Sequence, residues 1–335
     1  MRAFGWVLVV GIGAAFFATL APGVLGLSMA DGVAQLIAVR PWAAAACLIA
    51  ALLLTLLAGL VRLLSDGRAP RLVTLALIAA VVAAGHLGVV LVRGTSDTQP
   101  PLAETAQPGD VTVVAVNMLG GSGDTARVVD VIAGAGADVV MVPEAGDTDE
   151  MVRALAVAGL TFTVFDGTGV PLSADPRGTA LLVRDTLGEY VPAAASTPGS
   201  VHVVPADGTG PTLIAVHPIA PPVFPGATER MRWWRAEVAD AAGLCPQIPG
   251  AIVAGDFNAT LDHGPMRDLG TCIDAATKAG VGGVGTWPAS LPRLLGTPID
   301  HVLADGAAFS VVRAAVVDIT GTDHRAVVAR LRPVG

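Results

Sequence analysis

Several apolar, strand-like segments of this 335-residue chain end in an acid, an amide or an imidazole. The residues at these ends are Asn117, Glu144, His217, Asp256, Asn258, Asp300, Asp323 and His324. A buried strand does not need such residue types, because its pattern is set by β-branched and aliphatic side chains. Hard Mg²⁺ prefers carboxylate and amide oxygens, and an imidazole exchanges protons near neutral pH. Together these groups indicate a site that binds a divalent cation and hydrolyses a phosphate ester.

Two acids are the best candidates for metal ligands. Glu144 ends the strand-like segment ADVVMVPE, and Asp323 stands just before the last one. Asn117 could complete the ligand set or hold it from behind. Mg²⁺ (or Mn²⁺) is the expected cofactor, since both accept oxygen ligands. The alternative for Glu144 is an acid at the surface end of a strand.

The segment AIVAGDFNAT carries a second pair of polar residues, Asp256 and Asn258. They are two residues apart on an extended segment, so their side chains point to the same side. One can orient the attacking water, and the other can donate to a phosphoryl oxygen. The alternative is a turn stabilised by the side chains of G-D-F-N alone.

The order of these segments carries a resemblance. An Asn and a Glu each follow a strand, a His follows a middle strand, and G-D-F-N, I-D-H and a terminal D-H come after them. Over roughly residues 110–333 the chain resembles the endonuclease/exonuclease/phosphatase superfamily, and G-D-F-N and D-H are the specific motifs. The resemblance implies a DNase I-like fold, which is a two-sheet α/β sandwich. The alternation of strand and helix patterns alone predicts only an α/β domain.

The resemblance also implies roles for single residues. His324 would be the catalytic imidazole, and Asp300 would accept its second ring proton and fix its tautomer. His217 would contact the scissile phosphate. The chain departs from the family at Pro143, where Gln commonly precedes the metal-binding Glu. Proline lacks an N–H, but the carboxylate of Glu144 remains.

Other candidates have weaker support. The loop GGVGTWPAS (282–290) is similar to a T-W-P segment in membrane-bound relatives, and Trp287 either lines the substrate cleft or packs the loop. His301 should point away from the site on an extended strand. His202 and His263 carry no motif, and we expect both at the surface.

The N-terminal region contains three long apolar runs, at about 4–27, 42–61 and 72–92. Each reaches the roughly 20 residues that span a bilayer, so three transmembrane helices are predicted. The first run could instead be a signal peptide, but no convincing small-x-small cleavage site follows it, which favours an uncleaved helix. The chain thus also resembles the membrane-anchored bacterial members of the superfamily.

Arginine placement predicts the orientation of these helices, because the more basic side usually faces the cytoplasm. The N-terminus is then cytoplasmic and the region after the third run is extracytoplasmic. The domains expected are a membrane anchor (1–93), a linker rich in Pro, Thr and Ser (94–109) and a catalytic domain (110–335). Arg2, Arg62, Arg68 and Arg71 lie on the cytoplasmic side, and Arg40 and Arg93 on the other.

Charge and cysteine content limit the partners. Residues 100–335 hold 25 acidic and 14 basic residues, and Lys278 is the single lysine of the chain. Proteins that bind nucleic acid non-specifically usually present a basic surface, so the charge disfavours a nuclease. Cys245 and Cys272 bracket the G-D-F-N segment, and an oxidising compartment would permit a disulfide between them; two buried free thiols are the alternative.

Three functions remain open from the sequence. The first is an extracytoplasmic phosphoesterase anchored in the membrane, whose substrate could be a phospholipid or another envelope phosphoester. The second is an exported nuclease acting on DNA or RNA, since one fold hosts many substrates. The third, from another class, is a non-catalytic domain for envelope binding or assembly. No obligate protein partner is evident.

Overall fold

The computed structural model describes residues 2–65, 68–166, 178–195 and 197–335. Within them, twelve strands form two six-stranded sheets. The strands are β1 (Val111–Ala115), β2 (Val139–Val142), β3 (Phe162–Asp166), β4 (Ala180–Arg184), β5 (Tyr190–Ala193), β6 (Val201–Pro205), β7 (Thr212–Val216), β8 (Ala251–Asp256), β9 (Cys272–Asp274), β10 (Asp300–Asp305), β11 (Phe309–Asp318) and β12 (Arg325–Pro333). The α-helices are α1 (Arg2–Leu20), α2 (Val33–Ala38), α3 (Arg40–Ser65), α4 (Pro70–Arg93), α5 (Thr125–Ala135), α6 (Thr148–Val157), α7 (Thr228–Gln247), α8 (Gly264–Arg267) and α9 (Ala275–Lys278).

The two sheets have matching topologies. The first sheet has the order β11-β12-β1-β2-β4-β3, and the second has the order β5-β6-β7-β8-β10-β9. In each sheet the two central strands are parallel, β1 with β2 and β7 with β8, and the outer neighbours are antiparallel. The parallel pairs need crossovers, which α5 and α7 supply.

The core lies between the sheets and under the helices, because side chains alternate between the two faces of a strand. In β1, Val113 and Ala115 join the cluster between the two sheets, together with Leu213 of β7. Val114 points the other way and packs with Ile132 of α5. Helix α7 covers the outer face of the second sheet in the same manner. The predicted two-sheet α/β sandwich is confirmed.

The first apolar run does not form one helix over 4–27. Helix α1 ends at Leu20, and a short 3₁₀ helix (Pro22–Leu25) follows. The reason is Pro22: its ring disfavours helical geometry at Ala21, whose φ is −132° and ψ is 57°. The sequence expectation for this segment was therefore wrong in its C-terminal third.

Helices α3 and α4 are long and apolar enough to cross a membrane. The apolar part of α1 (Phe4–Leu20) is shorter than a typical span. Length and composition are weak evidence for spanning, because buried core helices and signal sequences share them. Among the described residues the structure thus offers two candidate spans, where three were predicted.

The segment predicted as a linker (94–109) runs along the sandwich. The backbone N–H of Ser96 donates to the Gly280 carbonyl (3.1 Å). The Thr98 hydroxyl donates to the Ala314 carbonyl (2.5 Å). These bonds hold the beginning of the segment against the domain.

Cys245 and Cys272 form a disulfide with an S–S distance of 2.07 Å and a separation of 27 residues. The bond joins the end of α7 to β9. It closes a loop that contains β8 and the G-D-F-N segment, so it ties both ends of the segment that carries Asp256.

Replacing Cys245 and Cys272 together by alanine should lower the free energy of unfolding by about 3 kcal/mol, because the unfolded chain is then no longer cross-linked. A lower melting temperature of the full-length variant in detergent, measured by scanning fluorimetry, checks this. Reductant should bring the wild-type chain to the melting temperature of the variant and leave the variant unchanged. An equal drop in both proteins would contradict the prediction.

Candidate active site

Four site residues follow the central strands of the two sheets. Asn117 and Glu144 come after β1 and β2, and His217 and Asp256 stand at the ends of β7 and β8. Because each central pair is parallel, the carboxyl ends of its strands lie at one edge of the sheet. Asp300 opens the antiparallel strand β10 directly opposite Asp256. The two sheets therefore deliver their polar ends to one place.

Backbone strain is concentrated at this place. The described residues include three non-glycine residues with positive φ: Leu119 (50°), Glu144 (51°) and Asn258 (48°). Such conformations are unfavourable for side chains and persist where neighbours enforce them, most often at functional sites. The carbonyl of Glu144 accepts the N–H of Gly121 (2.9 Å), which fixes the turn after β2.

The Asn117 amide joins two carboxylates. Its Nδ2 donates to Glu144 Oε1 and to Asp256 Oδ2, both at 3.2 Å. Its Oδ1 accepts the backbone N–H of Leu119 at 2.9 Å. This bonding supports the second of the two predicted roles, in which Asn117 holds the ligand carboxylates from behind.

Asn258 joins the loop that follows β7 to the loop that follows β8. Its Nδ2 donates to the Pro218 carbonyl (3.0 Å) and to Asp256 Oδ2 (3.3 Å), and its backbone N–H donates to Asp256 Oδ1 (2.8 Å). The amide hydrogens are thus directed at protein acceptors. The predicted donation from Asn258 to a phosphoryl oxygen would have to replace one of these bonds.

His217 lies between the two halves of the site. Its Nε2 is 3.7 Å from Glu144 Oε1 and 3.8 Å from Asp256 Oδ2. The backbone of Pro218 is held by Asn258. The imidazole is therefore fixed beside both carboxylates.

His324 and Asp300 form the predicted pair. His324 Nδ1 is 2.9 Å from Asp300 Oδ2, and Nε2 faces Asp256 Oδ2 at 3.7 Å. Burial alone would lower the pKa of His324, but the charges of Asp300 and Asp256 outweigh it and raise the pKa to about 10. The imidazole is consequently held in its charged form at neutral pH.

Asp256 lies at the centre of the site and is 2% exposed. Burial, and next the negative charge of Asp300, raise the pKa of Asp256 to about 7. His324 and the hydrogen bonds from Asn258 and Asn117 act in the opposite direction. A carboxyl group with this pKa can accept and release a proton near neutral pH.

Asp323 lies at the rim of the site. Its Oδ2 accepts the indole N–H of Trp287 at 2.9 Å, and its Oδ1 is 3.9 Å from His324 Nε2. Trp287 is 38% exposed, so part of its side chain is accessible to solvent beside Asp323. This position fits the predicted contact with substrate as well as packing of the loop.

The donor set fits a divalent cation. Among the described residues, Asp256, Asp300 and His324 offer ligand atoms within 4.8 Å of one another and could hold a metal ion, whereas Glu144 and Asp323, the ligands predicted from the sequence, are not in this group. Buried Oδ1 atoms of Asp300 and Asp323 have no hydrogen-bond partner. Carboxylates crowded in this way repel one another, as the raised pKa of Asp256 reflects, and a bound cation removes that repulsion.

Comparison with known proteins shows the family to which the chain belongs. The model of the Endonuclease/Exonuclease/phosphatase family matches residues 114–324, which begin in β1 and end at His324. The chain belongs to this family. Its members are phosphoester hydrolases that use divalent metal ions. No curated protein matches the chain significantly.

The chain is similar to several solved structures at low sequence identity. The endonuclease/exonuclease/phosphatase of Beutenbergia cavernae DSM 12333 has a TM-score of 0.51 and 18% identity, covering 68% of this chain and 72% of that one. Human Nocturnin, solved as a catalytic domain with a bound sulfate anion, has a TM-score of 0.46 and 15% identity over 70% and 100% of the two chains. D. rerio TDP2 with a single-strand DNA product has a TM-score of 0.49 and 15% identity over 67% and 99%.

In the region that follows the apolar helices, three further histidines lie outside the site and are buried. His301 points away from it, as expected, and bonds Asp274 Oδ2 (2.9 Å). His202 and His263 were expected at the surface, but both are buried with polar partners. The pattern around them gave no signal, because their partners come from the tertiary fold.

Sequence reasoning missed two threonines that hold the site. Thr322 Oγ1 donates to the Asn117 carbonyl (2.7 Å) and accepts the N–H of His324 (3.2 Å). Thr286 Oγ1 accepts the N–H of Asp300 (3.2 Å). Thr322 lies within the G-T-D-H segment, so its proximity to the motif was the available signal.

Binding of Mg²⁺ or Mn²⁺ should strengthen as pH rises through about 7, since loss of the Asp256 proton adds a negative charge beside the bound cation. The raised pKa of Asp256 contributes stability below the ordinary carboxyl pKa, and this contribution is lost as pH rises through about 7. We therefore expect the metal-free chain to lose melting temperature between pH 5 and 8, and the cation to restore more of it at pH 8. Calorimetric titration at both pH values measures the affinity. Equal affinities, with no proton release, would contradict this expectation.

Proposed function

We propose that this family member is a membrane-anchored, Mg²⁺-dependent (or Mn²⁺-dependent) phosphoesterase that hydrolyses a phosphodiester or phosphomonoester by in-line attack of water. The observation that carries the proposal is the convergence of carboxylates and imidazoles from both sheets on Asp256. Asp256 Oδ2 lies within 4 Å of His217 Nε2 and His324 Nε2 and accepts a hydrogen bond from Asn117. A non-catalytic domain would gain nothing from burying these charges together.

Glu144 and Asp323, with Asn117 as a further or supporting group, are the proposed holders of the cation. The bound ion would polarise the phosphoryl group and neutralise charge on its oxygens. Asn117 keeps the Glu144 carboxylate turned toward Asp256. Trp287 keeps one oxygen of Asp323 in place.

Asp256 is the proposed acceptor of the proton from the attacking water. Two donors on Asn258 and one on Asn117 fix its carboxylate, so the water would meet an oriented oxygen. Its pKa of about 7 suits proton transfer at neutral pH. The sequence left the choice of base open, and the pKa values favour Asp256 over the charged imidazole of His324.

His324 and His217 are the proposed stabilisers of the developing charge. His324, kept cationic by Asp300, can donate from Nε2 to a phosphoryl or leaving-group oxygen. His217 faces the same space from the β7 side. Donors fixed in this way need no reorganisation when charge develops on the phosphate.

The proposed organisation is an anchor (1–93), a connecting segment (94–109) and a catalytic domain (110–335) outside the cytoplasm. The apolar length of α3 and α4 and the position of the arginines support it. The disulfide between Cys245 and Cys272 also fits an oxidising compartment. A phospholipid or other envelope phosphoester is the favoured substrate, since the acidic domain disfavours nucleic acid.

The test uses the full-length chain in detergent micelles, assayed with Mg²⁺, Mn²⁺ or EDTA. The substrates are bis(p-nitrophenyl) phosphate, p-nitrophenyl phosphate, DNA and a phospholipid. Replacing Asp256 by alanine should lower kcat/KM by about 10³-fold or more, because base and orientation are lost together.

The control is Asp130→Ala, which removes an exposed carboxylate of α5 and should leave activity unchanged. Turnover of DNA alone, weakening steeply with salt, would favour the nuclease. A folded wild-type chain with no turnover on any substrate would favour a non-catalytic envelope domain.

Replacing Asp300 by asparagine should shift the pH profile. The pKa of His324 should fall from about 10 toward its ordinary value near 6.5, because the largest charge that raises it is removed. The fall in kcat at high pH should then begin at least about two pH units lower than in the wild type. A profile from pH 5 to 10.5 measures this, and an unshifted basic limb would remove His324 from the role of proton donor.

A further inference from the structure

The N-terminal helices α1 to α4 are called the helical region here. The side chain of Asp262, four residues after Asn258, is buried between two arginines of this region. Arg40, at the start of α3, donates from Nε to Oδ2 (2.7 Å) and from Nη2 to Oδ1 (2.5 Å). Arg93, at the end of α4, donates from Nη1 to Oδ2 (2.8 Å) and from Nη2 to Oδ1 (2.9 Å). These are two bidentate pairs on one carboxylate, which is the strongest arrangement such groups form. We call Asp262, Arg40 and Arg93 the Asp262 clamp.

The clamp continues into the helices through His86 of α4. Arg40 Nη1 lies 3.1 Å from His86 Nδ1, and an arginine can only donate, so Nδ1 accepts. The proton of the ring is then on Nε2, which donates to Thr19 Oγ1 (3.2 Å). The Thr19 hydroxyl in turn donates to the Phe16 carbonyl of α1. The network therefore joins α1, α3 and α4 to one loop of the catalytic domain.

That loop is held along its length between the site and the clamp. The Asn258 carbonyl accepts the indole N–H of Trp234 (2.9 Å). The N–H of Thr260 donates to His263 Nδ1 (2.9 Å), so the other ring nitrogen of His263 donates to the Ala34 carbonyl of α2 (3.1 Å). A displacement of the helical region is thus transmitted to the residue that holds Asp256.

A second loop of the same sheet also ends on the helical region. It begins at His217 and reaches the segment before α3. Gln35 Nε2 donates to the Pro222 carbonyl (3.1 Å), and the N–H of Gly226 donates to Asp31 Oδ2 (2.7 Å). Both bonds lie within ten residues of the imidazole.

The segment before Asp300 is the third segment of the second-sheet half that is bonded to the helical region. The N–H of Gly282 donates to the Arg93 carbonyl (3.0 Å), at the end of α4. The indole N–H of Trp42 donates to the Leu295 carbonyl (2.9 Å). Each loop that bears a site residue of the second sheet is therefore bonded to the helical region.

The loops of the first sheet are bonded to one another. The N–H of Gly121 donates to the Glu144 carbonyl (2.9 Å), and the N–H of Asp124 donates to the Thr320 carbonyl (2.8 Å). The active site thus consists of two halves, and among the described residues only the second-sheet half is bonded to the helical region in this way. The bonds of Asn117 to Asp256, of His324 to Asp300 and of Trp287 to Asp323 join the two halves directly.

We propose that Asp262 is a positioning residue, through which the helical region holds the second-sheet half of the active site in register with the first-sheet half. The helices are then part of the catalytic unit and more than an attachment. The catalytic readout of this proposal rests on the proposed hydrolytic function, whereas the structural readout does not.

The test compares Asp262→Asn with wild type as full-length chains in detergent. We expect kcat to fall roughly 10- to 100-fold, the effect of a displacement of about 1 Å in a catalytic group, while KM stays within about twofold. Arg93→Gln is the milder second variant, because it keeps the pair between Arg40 and Asp262. Its kcat should lie between those of the other two proteins.

The matched control is Asp110→Asn. Asp110 accepts a bidentate pair from Arg332 just before β1, at the end of this strand that is opposite to Asn117. This variant also removes the charge of a buried carboxylate bound by arginine, but it does so away from the helical region. We expect its kcat to stay within about twofold of the wild-type value.

Hydrogen exchange provides the readout that does not depend on activity. In Asp262→Asn and Arg93→Gln, exchange should become faster in peptides covering 257–263 and 218–226 and stay unchanged in 118–124. Faster exchange with an inactive wild type would leave the coupling standing and reject the hydrolytic function. Unchanged exchange, unchanged kcat, or an equal loss of kcat in Asp110→Asn would overturn the proposal.

Discussion

The face-to-face packing of the two sheets determines where the polar strand ends lie. Val113 and Ala115 of β1 point into the space between the sheets, and Val114 points away. A register slip of one residue in either central strand would reverse these faces. It would also turn Asn117 or Asp256 away from the other half of the site. The apolar core and the polar site therefore depend on the same strand register. Packing of the core enforces this register and thereby the positions of the site residues.

The cost of the site is the burial of charge. Asp256 and Asp300 lie opposite each other in β8 and β10, and both are almost fully buried. Isolated carboxylates would be expelled from such surroundings or protonated. Here Asn117, Asn258 and His324 supply donors, and the remaining repulsion appears as the raised pKa of Asp256. The positive φ values of Glu144 and Asn258 indicate that the fold also tolerates backbone strain to aim these groups.

The sequence predicted what depends on local pattern. Alternating and continuous apolar runs located the strands. Polar residues at strand ends located Asn117, Glu144 and Asp256, which follow or end strands of the parallel pairs, and Asp300, which opens the antiparallel strand β10. The end of α1 was missed although Pro22 marks it, because the apolar run over 4–27 was predicted as one helix from its hydropathy alone. Asp262 could not be predicted. Its partners are 222 and 169 residues away in sequence, and a single acid in a loop carries no period or motif.

The arginines of the helical region illustrate the same limit. Arg40 and Arg93 entered the sequence argument only as charges that orient helices in a membrane. In the structure both are buried against Asp262, so one carboxylate offsets much of their charge at that end of the helices.

The attachment of the His217 loop to the helical region also affects which substrates can reach the active site. His217 and Pro222 are five residues apart, so their Cα atoms are at most about 18 Å apart, and the Pro222 carbonyl is bonded to Gln35 of α2. If α3 and α4 cross a bilayer, this short connection holds the active site close to the membrane surface. A long nucleic acid would have to approach an acidic domain there against electrostatic repulsion. In the arrangement proposed above, an amphiphilic phosphoester in the same leaflet would present its phosphate at the membrane surface beside the attached domain, which is the physical reason for placing a lipid first in the proposed substrate class.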